Sequence, residues 1–394
     1  MTAPAPAGTP DSAELLAELI AFDTTSHRSN LALIGFIEAY LAGQGVKTQR
    51  IPDASGEKAN LFATIGPAEA SGILLSGHTD TVPVEGQPWQ RPPYCLTREG
   101  DRFYGRGTAD MKGFLACVLA AVPRFVNAPL QRPIHLAFSC DEEVGCVGVR
   151  SMIERLPSLA PASLACIVGE PTGMRPVMGH KGKLARRCHI RGAACHSAYA
   201  PQGVNAIEYA AALIGRLVAV AERLQQQDEQ DARFTPPFST LQVGTIQGGR
   251  ALNIVPDECS FDWEMRALPG VEPQVIEHEL RDWAERELLP RMQAVAPGAR
   301  IDFEPLAEYP GLAADAEGAA ARLLAELTGC CAFDTVAFGT EAGLYAEAGV
   351  PTLVCGPGSM AQGHKADEYI EAEQLEACDA MMARLAARLS SSAT

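Results

Sequence analysis

The sequence predicts an α/β protein: a layered domain around a largely buried, substantially parallel sheet, with an α+β module of ferredoxin-like order inserted into it. Three observations carry that prediction. Short apolar runs at 61–65, 73–75, 134–138, 164–168 and 352–355 are separated by helical stretches, notably 114–125, which is how strands covered on both faces read. Residues 183–308 instead run strand (184–191), helix (203–226), strand (239–247), strand (257–267), helix (271–293), strand (300–306), the split β-α-β arrangement. A chain of 394 residues also exceeds the size at which a single core keeps growing. The expected division is 1–182 with 309–394 as one domain and 183–308 as the other.

Taken in order, Asp11 and Glu14 make an Asp-x-x-Glu N-terminal box ahead of Leu15, Leu16, Leu19 and Ile20 at helical spacing. Asn30 is placed to cap a second helix through Ile34, Ile37 and Leu41, which Gly43 and Gly45 end. In the inserted module Cys259, Phe261, Trp263 and Met265 alternate with Ser260, Asp262, Glu264 and Arg266, as in a half-buried strand. The long helix before it carries Val204, Ile207, Ala211, Ile214, Val218 and Leu224 as its expected buried stripe.

Composition narrows the function classes. With 47% apolar and 20% charged residues the chain reads as globular. A net charge of −16, from 32 basic and 48 acidic residues, argues against nucleic acid or an anionic membrane as partner. Residues 1–10 show neither the basic nor the apolar region of a signal peptide, and no apolar run approaches the roughly 20 residues of a membrane span. The 12 cysteines lack paired C-x-x-C spacing, and Cys117, Cys166 and Cys355 sit in apolar runs, so a reduced, cytoplasmic setting is expected. Ser359 has Pro357 where a nucleophile elbow needs its first glycine, and His278-Glu279-Leu280-Arg281-Asp282 misses the last histidine of H-E-x-x-H.

Chemistry concentrates at the strand ends. His78 follows the 73–75 run and lies two residues before Asp80, so the Asp80 carboxylate can accept the second ring N–H of His78 and fix its tautomer. Asp110 stands in Gly105-Arg106-Gly107-Thr108-Ala109-Asp110-Met111-Lys112-Gly113; alone it reads as a helix N-cap before it reads as a ligand. Glu142 and Glu143 follow the 134–138 run, and because adjacent side chains diverge, one can bind a cation while the other faces substrate water. Glu170 ends the 164–168 run before Pro171, and His364 lies in a glycine-rich loop after 352–355. Loops beyond the carboxyl ends of parallel strands converge. Two histidines, one carboxylate able to bridge and one more for each ion suit zinc, cobalt or manganese. The expectation is a two-metal hydrolase.

The segments Gly77-His78-Thr79-Asp80, Gly105 to Gly113, Asp141-Glu142-Glu143 and Gly169-Glu170-Pro171-Thr172 resemble the dizinc aminoacylase/carboxypeptidase family. The resemblance implies a zinc-peptidase-like catalytic domain, with 183–308 as a lid or dimerisation domain and a homodimer formed through it. It implies two zinc ions, with His78 and Glu170 on one, Glu143 and His364 on the other, Asp110 bridging, and Glu142 as general acid/base. His196, in Cys195-His196-Ser197-Ala198, matches the family's lid histidine, a catalytic donor to the oxyanion; alone it is a surface loop residue. Gly179-His180-Lys181-Gly182 and Phe338-Gly339-Thr340-Glu341-Ala342 look most like the branch that removes the acetyl group from N-acetyl-L-ornithine. A desuccinylase of succinyl-diaminopimelate, an aminoacylase or a small carboxypeptidase is the alternative. Glu341 would then face the substrate ammonium, although Thr340-Glu341 equally reads as a helix cap with an acid in the first turn. Arg266 suits a substrate carboxylate, against its plain position two residues from Glu264, and Asn253 joins the same lid surface by resemblance.

Overall fold

The computed structural model describes residues 10–160, 163–226 and 230–391; the tract at 1–9, read above for a leader, lies outside them. The chain divides into two compact units, Met1–Gly179 with Leu312–Thr335 and Thr340–Thr394, and His180–Gly311 with Val336–Gly339.

In the first unit four strands lie side by side and parallel, in the order Ile134–Ser139, Gly72–His78, Ser163–Pro171 and Thr352–Gly356. Ala59–Ile65 and then Thr48–Pro52 continue the sheet antiparallel on one side, and Val177–His180 joins antiparallel on the other. Every residue of Gly72–His78 and Ile134–Ser139 is buried. Such strands are covered on both faces, which is why they read as unbroken apolar runs. The helices Ser12–Ile20, Gly113–Asn127 and Ala372–Ser390 contribute Leu16, Leu19, Phe114, Val118, Met381 and Leu385 to one continuous core. Asp11 and Glu14 close the first of these helices with both bonds of a capping box.

Asn30 departs from expectation. It precedes the helix Leu31–Gly43 but makes no side-chain cap. Its amide instead donates to Ala59 O (2.8 Å) and Thr79 Oγ1 (2.9 Å) and accepts from Ala59 N (3.0 Å). A buried amide with both ends satisfied by the neighbouring chain has more to gain there than at a solvated helix start.

The second unit carries a four-stranded antiparallel sheet in the order Thr240–Gly248, Glu258–Ala267, Gly182–Arg191, Arg300–Tyr309. Cys259, Phe261, Trp263 and Met265 all face its core. The helix Ala206–Gln226 buries Ala206, Ala210, Leu213, Leu217, Val220 and Leu224; of the stripe expected, Val204 and Leu224 are buried and Ile214 packs partly buried against the same core, while Ala211 faces outward. Ile207 and Val218 are 37% and 50% exposed. The helix is apolar along two tracks, and periodicity alone does not say which one meets the sheet.

Gly169 lies in the strand that leads to Glu170, and a Cβ there would fall 2.0 Å from Cγ of the buried Phe114 ring. Gly169→Ala is therefore expected to lose about 1–3 kcal/mol or more by overpacking. Urea denaturation checks this, and an unchanged midpoint would contradict it.

Candidate metal centre

Three of the parallel strands end at one edge of the sheet, and the fourth opens there into the acidic turn. Gly72–His78 delivers His78, Ser163–Pro171 delivers Glu170, and Thr352–Gly356 leads to the loop of His364. The turn after Ile134–Ser139 carries Glu142 and Glu143, and the Thr108–Lys112 turn carries Asp110. His364 takes a left-handed backbone conformation (φ 60°), a sparsely populated state for a histidine that needs support from its surroundings.

Asp110 sits at the middle of the cluster. Its Oδ1 lies 3.0 Å from His78 Nε2, and its Oδ2 lies 3.1 Å from His364 Nε2. Glu170 Oε1 is 3.8 Å from the first imidazole, and Glu143 Oε2 is 3.0 Å from the second. The result is two donor triads, His78/Asp110/Glu170 and Asp110/Glu143/His364, each with its ligand atoms within 4.8 Å of one another. Glu142 belongs to neither.

Electrostatics says what this donor set lacks. Burial and the charge of Asp110 push Glu170 well above the ordinary carboxylate range, and its Oε1 is buried with no hydrogen-bond partner. Burial and Asp110 also raise Glu143, to about 7. Burial opposes charge on His78, yet the hydrogen bond to Asp110 and the nearby carboxylates raise it well above its usual value. Hydrogen bonds to Asp110 and Glu143 take His364 to about 10. Buried carboxylates that retain protons, and one orphaned oxygen, are what a site missing positive charge displays. Imidazole with carboxylate fits a zinc-type divalent ion.

Comparison with known proteins shows the family. The profile of Peptidase family M20/M25/M40 matches residues 74–388. A relative in Myxococcus xanthus named acetylornithine deacetylase is 38% identical over 381 residues, covering 94% of this chain and 96% of that protein. The chain belongs to the M20/M25/M40 peptidase family. Among solved structures, the M20 metallo-carboxypeptidase Sso-CP2 of Sulfolobus solfataricus aligns over 97% of this chain and 99% of its own, with a TM-score of 0.77 and 18% identity. The Bacillus subtilis protein YXEP, described as a dinuclear metal-binding peptidase of the M20 family, aligns over 95% and 96% with a TM-score of 0.63 and 15% identity. At those identities the structures speak for the fold alone. The protein is an M20-family hydrolase.

Around this M20 centre the structure corrects the expected part of Asp80. His78 Nδ1 lies 2.9 Å from the Asp80 backbone oxygen, while the Asp80 carboxylate stands 3.6 Å away. That carboxylate is engaged elsewhere. Its Oδ1 accepts from Glu142 N (3.1 Å), and its Oδ2 accepts from Glu143 N (3.3 Å) and the Ser26 hydroxyl (2.7 Å). Asp80 thus orients the histidine through its carbonyl and anchors the acidic turn through its side chain. Lys58 neutralises the third acid of that turn, at 2.5 Å from Asp141 Oδ1, and also donates to Ser26 O.

Glu142 is pushed up to about 8 by burial, with Glu143, Asp110 and Asp80 adding to the effect and His78 opposing it. The buried Cys146 thiol donates to Glu142 Oε1 (3.3 Å). Burial and the Glu142 charge hold that thiol well above its usual range, and burial takes Cys140 to about 12. Both therefore stay thiols, and neither joins a donor triad.

Glu341 is a second correction. It is buried, and its two oxygens accept from Ser76 Oγ (2.5 Å) and Ser139 Oγ (2.7 Å). A carboxylate so engaged in the interior has no free face for a substrate ammonium. The capping alternative holds only in part: Thr340 Oγ1 accepts from Ala342 N at 3.0 Å, but Glu341 itself occupies the N-cap position of Ala342–Glu347 without a side-chain cap bond.

The other expected residues lie in the second unit. His196 is exposed, accepts from Ala198 N at 3.1 Å, and is bridged to Ile254. Asn253 O accepts from Ser197 N at 3.0 Å, so these two loops are joined by main-chain bonding. Arg266 donates to the Tyr309 hydroxyl (2.9 Å) and stands 3.4 Å from Glu264. Sequence reading missed Ser26, Lys58 and the buried Lys112, whose ammonium donates to Leu19 O (3.1 Å) and Phe22 O (2.8 Å) and is pushed down to about 7 by burial. Lys112 lies inside a quoted motif, which was a signal; Ser26 and Lys58 carried none.

Metal titration of the purified protein tests the two triads. Wild type is expected to take up two zinc or cobalt ions, His364→Ala one, and Asp110→Ala none at micromolar concentration. Two tightly held ions in Asp110→Ala would remove it as the shared ligand.

Proposed function

We propose that this chain is a two-metal amidohydrolase that removes the acetyl group from N-acetyl-L-ornithine. The observation that carries the hydrolytic reading is the position of Glu142, beside two triads that share Asp110 but in neither. The acyl substrate rests on the name and coverage of the Myxococcus xanthus relative.

In this reading His78 and Glu170 would hold one ion, Glu143 and His364 the other, and Asp110 both. When bound, two such ions polarise an amide carbonyl and lower the pKa of water toward neutrality. Zinc suits the donors best, with cobalt and manganese as substitutes. Glu142 is the proton carrier: its carboxylate takes the proton from the attacking water, and the resulting carboxyl returns it to the departing amine. Burial holds Glu142 at about 8, His78 already pulls it down, and bound cations would lower it further toward the working range. Asp80 holds Glu142 by its backbone N–H. His196 serves as a donor to the developing oxyanion, Arg266 binds the substrate carboxylate and Asn253 shares that surface; these three roles rest on family resemblance.

Residues 1–182 with 309–394 are proposed as the catalytic domain and 183–308 as a lid that also pairs two copies. Support for pairing comes from the edge strand Thr240–Gly248 and from the exposed Ile207, Val218 and Ile246, because an open edge beside apolar side chains is a template for another chain. Among the described residues no helix is long and apolar enough to cross a membrane. A cytoplasmic setting is proposed on the 12 free cysteines.

A panel of N-acetylornithine, N-succinyl-diaminopimelate and N-acetylmethionine, assayed with zinc- or cobalt-loaded protein, decides the substrate. The highest kcat/KM is expected on the first; preference for either other compound would replace the acyl assignment and keep the chemistry. Glu142→Gln is expected to lower kcat by about 10²–10⁴-fold with two ions still bound. His196→Ala should likewise lower turnover at unchanged metal content, and wild-type turnover would exclude it from the mechanism.

A further inference from the structure

We propose that Glu368 is a positioning residue of the metal centre, fixing Asp110 through the main chain and, with Arg106, tying the Asp110 turn to the loop that carries His364. The proposal rests on the reading of Asp110 and His364 as metal ligands.

Glu368 is buried, and four donors converge on its two oxygens. Oε1 accepts from Ala109 N (2.9 Å) and Asp110 N (3.0 Å). Oε2 accepts from Gly107 N (3.0 Å) and Arg106 NH1 (2.7 Å). A carboxylate offers about four acceptor sites, so this one is saturated, and three of its donors are main-chain N–H groups of the turn that presents Asp110. Successive N–H groups pointing into one concavity form an anion-binding nest. Here the anion is built into the chain. The shape depends on Gly107, which is left-handed (φ 87°) and whose Cβ, if present, would fall 2.9 Å from Thr81 Cγ2. The Glu368 main chain takes part as well, since its carbonyl accepts from Gly105 N at 2.9 Å.

Arg106 carries the link onward. Its side chain is buried, and beyond Glu368 it donates to Gln87 Oε1 (2.5 Å), Pro83 O (3.3 Å) and Lys365 O (3.4 Å). Gln87 in turn donates from Nε2 to the His364 carbonyl (3.1 Å), and Trp89 both covers the guanidinium (5.0 Å to the ring) and donates to Gln87 Oε1 (3.0 Å). The loop of His364 is thus held from two directions, through the chain from Glu368 and through Arg106 and Gln87.

The geometry of Asp110 makes such fixing matter. Its oxygens point at different imidazoles, so a rotation that improves one contact spoils the other. Holding the turn by three main-chain bonds removes that freedom before any cation arrives, which is how supporting residues raise metal affinity.

The experiment measures zinc affinity by chelator competition, with circular dichroism and thermal melts on the same samples, for Glu368→Gln, Glu368→Asp and Gln87→Leu. Glu277→Gln serves as the control, because Glu277 also forms a buried pair with an arginine, Arg186 (2.7 Å), in the second unit. Both Glu368 variants are expected to bind zinc about 10–100-fold more weakly while folded, with kcat restored by excess metal. Gln87→Leu, at a partly exposed position that does not threaten folding, is expected to weaken only one of the two ions. The control is expected to melt lower at unchanged affinity. Zinc affinity within twofold of wild type in the folded Glu368 variants, or in Gln87→Leu should the Glu368 variants fail to fold, overturns the proposal. Wild type that binds fewer than two ions instead overturns the ligand reading beneath it.

Discussion

The constraint on which the rest of this structure depends is charge compensation in a confined space. Asp110, Glu142, Glu143 and Glu170 crowd around two imidazoles at one edge of the sheet, largely withdrawn from water. Carboxylates so placed either keep their protons or acquire positive neighbours. Glu142 and Glu143 respond in the first way, with values of about 8 and about 7. The neighbouring basic side chains do not relieve them, because Lys58 is engaged by Asp141 and Arg106 by Glu368. Positive charge in the inner cluster is left to the imidazoles and to the divalent ions that the donor set fits.

That division of labour runs through the supporting residues. Asp80 collects the main-chain N–H groups of Glu142 and Glu143, and Glu368 collects those of Gly107, Ala109 and Asp110. Each uses a carboxylate to organise backbone, so the carboxylates of the centre itself remain free to act as ligands or as a proton carrier. The same economy of shape explains the glycines near the centre: Gly169 passes against the Phe114 ring where no side chain fits.

The strands and the two triads were legible because buried parallel strands leave unbroken apolar runs, and because their carboxyl ends must meet at one edge wherever the chain places them. Partner choice was not legible. Asn30 looked like a cap because local spacing is all that a sequence displays, whereas its partners Ala59 and Thr79 arrive from one strand and from just beyond the end of another. Asp80 was rightly set beside His78, but the competition for its carboxylate came from Ser26 and from the acidic turn 62 residues away. Glu341 offered a tempting negative charge, yet Ser76 and Ser139 close over it. The helix Ala206–Gln226 had two apolar tracks, and only the sheet beneath decides between them. The class of reaction was accordingly easier to read than its substrate, whose candidate contacts His196, Asn253 and Arg266 rest on resemblance.

The triads also differ in how far they lie from water. His78, Asp110 and Glu170 are all buried, while the side chain of His364 is 47% exposed. A cation held by the inner set has no solvent-facing ligand through which to leave, whereas one held by the outer set does. Of two cations so held, the outer one would therefore be the more open to exchange with the surrounding medium.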